Sequence, residues 1–418
     1  MAIKQRLILL NFLQFFIWGS WLLTIGAYWF QTKHWSGTEF GAIFSTMGIA
    51  SLFMPAIAGI IADRWVNAER LYGIFHIMGA IILFFVPLVN DPSAMFWIML
   101  VNMIFYMPTI SLSITVAYST LKSNQLDIIK EYPPIRVWGT IGFIVALWII
   151  SLTGLETSAA QFYVASAASL FLGIYSFTLP KCPPLGQGHK KSLASAMGLN
   201  AFALFKNTKM AVFFIFAMLL GASLQLTNAY GDTFLHDFAK IPMYKDLLAV
   251  KYPAIIMSIS QISETLFILT IPFFLRKFGI KKVMIFSMIA WVLRFGLFGF
   301  GNPGEGLWMI ILSCIIYGMA FDFFNISGSL FVETQSKPEV RASAQGLFMM
   351  MCNGVGAFLG SRISGIVIDN YYVLADGSFD WKGIWLAFAG YSLVVAILFA
   401  ILFKHKHNKD AFASTVGH

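Results

Sequence analysis

The chain has 418 residues, of which 58% are Ala, Val, Ile, Leu, Met, Phe, Trp, Tyr or Cys and only 11% are Asp, Glu, Lys or Arg; its mean hydropathy is +0.76. Soluble domains carry about 25% charged residues, so a water-soluble globular enzyme is excluded. At about 20 apolar residues per spanning helix plus a short connection, the length holds roughly a dozen spans and leaves no large domain outside a membrane.

Continuous apolar runs such as 210–220 and 386–403 exclude a barrel, whose strands alternate apolar and polar over about ten residues. The fold class expected is therefore an all-α membrane protein. The first run, 7–30, follows Lys4 and Arg6; it is too long for a signal-peptide core and has no small-residue cleavage site, so it reads as a retained span. Runs at 41–62, 70–89, 93–119, 134–153 and 159–179 follow it. A second set lies at 210–231, 252–275, 281–300, 305–331, 341–368 and 383–403. Twelve transmembrane helices are thus expected, six in an N-terminal half (1–179) and six in a C-terminal half (210–418) that ends in a short cytoplasmic tail. Between them 180–209 opens Pro180-Lys-Cys-Pro-Pro184 and carries Gly186, Gly188, His189, Lys190 and Lys191, the composition of a polar cytoplasmic linker.

Positively charged short loops stay in the cytoplasm. With both termini inside, 20 of the 28 Lys and Arg fall on the inner side, five outside (Lys33, Lys240, Lys245, Lys251, Lys382) and three within spans (Arg136, Arg294, Arg362). This dispersal over inner loops accounts for the net charge of +9, and with no basic stripe interleaved with aromatics, nucleic acid is not an expected partner. Cys182, Cys314 and Cys352 are odd in number, far apart and without CxxC or Cys/His spacing, so no disulfide framework and no metal site is expected. No P-loop or hydrolase motif occurs, which excludes ATP as the driving force and leaves a gradient or none. No catalytic residue and no cofactor is expected.

Ionisable side chains in a bilayer core cost about 2.5–3.5 kcal/mol each, so those present usually face a cavity and act. Of the 19 acidic residues, Glu264 and Asp322 are read as the two well inside apolar segments, which makes them the proton-site candidates. Gln261 and Glu264 stand at i, i+3 on one helical face, an amide and a carboxylate suited to a polyhydroxyl ligand or to an interhelical hydrogen bond. Tyr317, Phe321 and Asn325 are spaced i, i+4, i+8, with Asp322 100° round from Phe321; the rings could stack on a planar ligand or pack the core. Arg136, Thr140 and Phe143 share one stripe. The Arg fork could bind ligand oxygens at two points and balance Glu264, or snorkel to the inner surface. Gln225 and Asn228, again at i, i+3, suit a heterocycle edge or ribose hydroxyls.

Asn11, Gln14 and Trp18, and Asn102, Tyr106, Thr109 and Ser113, form weaker stripes that serve either as cavity lining or as helix glue. Gly356 and Gly360 form a small-xxx-small pair for close helix packing. The two halves echo each other at basic loops, Asp63-Arg64 to Arg70 against Arg276-Lys277 to Lys282. Six plus six spans with related halves is a transporter architecture, with the substrate near the midplane.

The loop Gly59-Ile-Ile-Ala-Asp63-Arg64-Trp, ending in Arg70, resembles the signature of the major facilitator superfamily between its second and third spans, with Val66-Asn67 in place of the usual Gly-Arg; Glu333, Arg341 and Ala344-Gln345-Gly346 fit the same superfamily. More specific are Phe12-Leu-Gln-Phe-Phe-Ile-Trp18-Gly-Ser-Trp, Pro133-Pro-Ile-Arg-Val-Trp-Gly-Thr-Ile-Gly-Phe143, Ala201-Phe-Ala-Leu-Phe-Lys-Asn207 and the run 317–329. Together, over about residues 4 to 406, these resemble the nucleoside:proton symporter family. The resemblance implies the major facilitator fold in two six-helix halves and proton-coupled nucleoside import across the bacterial inner membrane. It implies a nucleoside pocket of Arg136, Thr140, Phe143, Gln225, Asn228, Gln261, Glu264, Tyr317 and Phe321, with Asp322 or Glu264 as the coupling carboxylate. The expected partners are a nucleoside, a proton and the lipid bilayer, and the expected state is a monomer. A sugar or oligosaccharide proton symporter of the same fold is the alternative.

Overall fold

The computed structural model describes residues 2–184, 199–337 and 340–405. Among these residues the regular structure is helical, apart from an isolated β-bridge between Val373 and Phe379. In chain order the principal helices are α1 (Ile3–Gly19), α2 (Gly37–Arg64), α3 (Ala68–Phe85), α4 (Pro92–Ser123), α5 (Ile128–Leu152), α6 (Ala160–Ser176), α7 (Thr208–Asp237), α8 (Pro253–Ile268), α9 (Ile271–Phe300), α10 (Leu307–Gln335), α11 (Arg341–Met349), α12 (Ala357–Tyr371) and α13 (Trp381–Leu402). Nine helices among the described residues are long and apolar enough to cross a membrane. By contrast, α1 and α6 have 17 residues each and α8 has 16.

Local chemistry sets the helix ends. Ser36 and Glu39 form a reciprocal capping box at the start of α2, Asp91 accepts from Ala94 N at 2.8 Å, and Asn207 and Asp380 cap α7 and α13. Each cap satisfies backbone N–H groups that the first turn leaves without partners.

The apolar run expected to span 7–30 is not one helix. It stops at Gly19, where a Cβ would run into the backbone of Phe143, and resumes as Ile25–Ala27 and a π-turn, Tyr28–Lys33. The backbone stays hydrogen-bonded across the interruption, Ser20 N to the Phe16 carbonyl and Leu22 N to the Trp18 carbonyl, both at 3.0 Å, while Gly19 lets α1 and α5 pack closely. In α9, Gly279 has φ 77° and ψ 166°, a conformation open to glycine. It splits the helix at the boundary expected between 252–275 and 281–300. Of the expected linker, Leu199–Lys206 is a 3₁₀ helix. Gly186, Gly188, His189, Lys190 and Lys191, and the tail from 406 onward, lie outside the described residues.

An apolar core is buried as in a protein in water, but apolar side chains also cover the outside. Ile81, Phe84, Trp97, Phe171, Leu266, Phe273, Ile289 and Ile401 stand exposed, whereas Asn11, Gln14, Thr109, Ser169, Ser287 and Arg294 are buried. A belt of bare apolar side chains this extensive needs an apolar solvent. Gly356 and Gly360 behave as their spacing suggests, since a Cβ at either would meet α7 at Met218 or Ala222.

One of the weaker stripes proves to be glue. Gln14 Nε2 donates to Thr109 Oγ1 at 2.9 Å, and Gln14 Oε1 accepts from Tyr72 OH at 2.7 Å and lies 3.0 Å from His76 Nε2; Tyr106 OH donates to the Gln14 carbonyl at 2.8 Å. The network joins α1, α3 and α4. Replacing Gln14 by Leu leaves Tyr72 OH and His76 Nε2 without their partner in the core, at about 1–3 kcal/mol per unsatisfied group, so the melting temperature in detergent is expected to fall clearly below that of the wild type. An unchanged melting temperature would remove this network from the account of stability.

Among the described residues, hydrogen bonds join chain before residue 185 to chain after 198 near the start of α2, the end of α5 and the start of α8. Gly37 N and Thr38 N donate to Asp369 at 2.9 and 2.6 Å, Trp148 Nε1 donates to Ser258 Oγ at 2.9 Å, and Ala254 N donates to Glu156 Oε1 at 3.1 Å.

Candidate functional site

Four helices carry the residues singled out above. Arg136, Thr140 and Phe143 lie on α5, Gln225 and Asn228 on α7, Gln261 and Glu264 on α8, and Tyr317, Phe321 and Asp322 on α10. The α5 helix begins at Ile128 rather than 134 and carries Pro133 and Pro134 inside it, so Arg136 sits in the third turn and not at a terminus. Its guanidinium stacks on the ring of Phe15, 4.1 Å from the centroid, a cation–π contact that aims the fork inward.

Arg136 interacts electrostatically with Glu264, Tyr132 and Tyr106. Glu264 in turn interacts with Asp322 and Tyr317. The structure therefore draws Arg136, Glu264, Tyr317 and Asp322 into one charged neighbourhood. Tyr317 and Phe321 stack at 5.9 Å between centroids and 6° between planes, which makes a flat aromatic wall.

Among the described residues no hydrogen bond or ion pair joins any two of these ten side chains. Instead several are left with unmet capacity: Gln225 Oε1, Gln261 Oε1 and Asp322 Oδ2 are buried without a hydrogen-bond partner. Buried polar groups are nearly always paired, so the orphans on α8 and α10, beside Glu264 and the aromatic wall, and the one on α7 offer hydrogen-bonding capacity to another molecule. Arg136, Thr140, Asn228, Gln261, Glu264 and Phe321 are half-buried, and Phe143, Gln225, Tyr317 and Asp322 are buried. Thr140, Phe143 and Asn228 belong to the set through their helical stripes, and no direct side-chain contact ties them to it.

Arg294 is part of the support. It is fully buried and donates to the Ser313 carbonyl at 2.7 Å, to Thr227 Oγ1 at 3.3 Å and to Ser260 Oγ at 3.4 Å, with its guanidinium 4.6 Å from the Tyr317 ring centroid. It thereby ties α7, α8, α9 and α10 together directly beside Gln225, Gln261 and Tyr317. Sequence alone places an Arg in a span but cannot name these partners.

Sequence reasoning also missed a second polar cluster. Asp232 and His236, one turn apart on α7, meet Glu156 from the turn after α5. Ending the seventh span at 231 treated Asp232 as loop, so the reading of Glu264 and Asp322 as the two acidic residues inside apolar segments needs correction: Asp232 lies within α7 and is 1% exposed. The i, i+4 spacing of Asp232 and His236 was the available signal.

Long apolar helices around a charged, aromatic and under-satisfied interior are the makings of a membrane transporter. The chain belongs to the nucleoside H⁺ symporter family, whose profile matches residues 1–408; this is a family of transporters and not of enzymes. The chain is similar to the xanthosine permease of Escherichia coli K12, at 54% identity over 98% of both chains, and to the nucleoside permease NupG of the same organism, at 52% identity over 100% of both. The crystal structure of nucleoside transporter NupG superimposes with a TM-score of 0.92, covering 97% of this chain and 100% of that one at 52% identity.

Proposed function

We propose that the chain imports nucleosides together with protons across the bacterial inner membrane, by alternating access. Its spans number twelve on this reading: α1, α6 and α8, each extended by its flanking turns, join the nine longer ones. They form two six-helix halves of a major facilitator fold, 1–179 and 210–418, connected by a cytoplasmic linker over 180–209. The protein works as a monomer in the bilayer with both termini in the cytoplasm.

The observation that carries the substrate assignment is the set of orphaned oxygens on Gln225, Gln261 and Asp322 beside the Tyr317–Phe321 wall and the Arg136/Glu264 pair. A nucleoside offers what this surface lacks. Its planar base stacks on the rings, its N–H donors meet the amide oxygens, and its ribose hydroxyls donate to Glu264 while accepting from Arg136. Asn228 and Thr140 extend the polar lining, and Phe143 closes it from α5. The names and functions of the 52–54% identical relatives support the same class.

Asp322 and Glu264 supply the coupling. A proton from the outer side neutralises one carboxylate and favours nucleoside binding; the halves then rock, and the proton leaves on the inner side. The polar seam formed by Asp369, Glu156 and Ser258 lies on the outer face in this orientation and is closed, as in an inward-facing state. In a competition assay, excess uridine or adenosine is expected to block labelled uridine uptake, with lactose and melibiose ineffective. The reverse pattern would replace the nucleoside reading with that of a sugar symporter.

A further inference from the structure

The cluster of Glu156, Asp232 and His236 has no part in the substrate pocket. Glu156 is 3% and Asp232 1% exposed, and the His236 side chain is 12% exposed. One donor atom from each residue lies within 4.8 Å of the others. His236 Nε2 is 2.6 Å from Glu156 Oε2 and 3.5 Å from Asp232 Oδ2. Close as they are, neither His236 Nε2 nor either oxygen of Asp232 makes a properly directed hydrogen bond. An almost fully buried carboxylate with both oxygens unmatched is costly.

The local charge does not balance. Two carboxylates and one imidazolium leave a net −1, and the neighbouring cations are engaged elsewhere: Lys240 pairs with Asp237 at 2.9 Å, and Lys251 pairs with Asp246 at 3.1 Å. Asp237 is itself held by Trp381 Nε1 at 2.8 Å. Two carboxylates and a neutral imidazole carry −2, which one divalent cation cancels.

The donor set and its support suit such an ion. Carboxylate oxygen and imidazole nitrogen both ligate zinc, with bonds of about 2.0–2.2 Å that set neighbouring donors about 3.3 Å apart in a tetrahedron, and three protein ligands leave the fourth position open. The His236–Asp232 separation already matches, and Glu156 needs only a small swing away from the imidazole. Glu156 is oriented from behind, as metal carboxylates are. Its Oε1 accepts from Ala254 N at 3.1 Å, its carbonyl accepts from Gln161 Nε2 at 3.0 Å, and Gln161 Oε1 accepts from Thr24 Oγ1 at 2.7 Å.

We propose that Glu156, Asp232 and His236 form a Zn²⁺ site across the polar seam, and that Zn²⁺ bound there inhibits transport by pinning the turn after α5 to α7. Binding follows from the donor geometry alone. Inhibition rests on the alternating-access reading, because the seam must part to admit substrate from that side.

The test uses the full chain, purified in detergent, stripped with a chelator and titrated calorimetrically with Zn²⁺, with Mg²⁺ as control. The wild type is expected to bind one Zn²⁺ and to ignore Mg²⁺, and Glu156→Gln and His236→Gln are expected to bind at least about ten-fold more weakly. Should one variant fold poorly, Co²⁺ added to the wild type gives an independent reading, since visible bands of a four-coordinate N/O site support the proposal and the spectrum of hexaaqua cobalt overturns it. Equal Zn²⁺ binding by the wild type and both variants also overturns it. In proteoliposomes, Zn²⁺ is expected to block uridine uptake by the wild type and to spare His236→Gln. Zn²⁺ bound to a fully active wild type refutes the inhibitory role. Absence of uridine uptake under every condition would count against the transport reading, and the binding titration would still decide the site.

Discussion

Replacing Asp322 by Asn is expected to abolish proton-driven concentration of uridine while leaving a folded protein that still equilibrates it. Asp322 is 5% exposed, its Oδ2 has no hydrogen-bond partner, and it interacts electrostatically with Glu264. Asn keeps the shape and removes the titrating group. If one proton accompanies each nucleoside, a gradient of one pH unit supplies ~1.4 kcal/mol and concentrates the substrate about ten-fold. The wild type in proteoliposomes is expected to reach that ratio and the variant to stop near equality. A variant that still concentrates uridine would move the coupling to Glu264.

Arg136→Gln is expected to weaken uridine binding by about 10- to 100-fold, the ~1.5–3 kcal/mol of a hydrogen bond to a charged group. Two effects combine, because the substrate loses a two-point donor and Glu264 loses the cation across from it. Arg136→Lys keeps the charge without the fork and should fall in between. The second effect predicts non-additivity: in a double-mutant cycle with Glu264→Gln, the pair should lose less affinity than the sum of the single losses. Calorimetric titration with uridine measures all four variants, and simple additivity would separate Arg136 from Glu264.

The ease of reading this chain follows from the physics of each feature. Helix class and most of the long spans were visible because the bilayer imposes uninterrupted apolar runs. The pairs Gln225/Asn228 and Gln261/Glu264 and the Tyr317–Phe321 stack were visible because polar or aromatic residues at helical spacing stand out in an apolar background. What stayed hidden depends on residues distant in sequence. The close packing of Gly19 on Phe143 joins segments far apart in the chain, and Gln14 could be assigned to glue only once Tyr72, His76 and Thr109 were seen around it. Arg294 became a brace only through Thr227, Ser260 and Ser313. Glu156 sits in a turn where an acidic residue is unremarkable, and its meeting with Asp232 and His236 is a tertiary event. At Gly279 a basic, glycine-containing stretch signalled the break correctly, because a residue free to take positive φ is itself a local signal.

The most direct test of the central claim is accumulation of radiolabelled uridine and adenosine in proteoliposomes containing the purified chain, with and without an inward proton gradient. Proton-coupled nucleoside import predicts concentration above the external level when the gradient is imposed, and its collapse when a protonophore dissipates the gradient. Equal internal and external concentrations with the gradient intact would contradict coupling, and no entry of either nucleoside would contradict the substrate assignment.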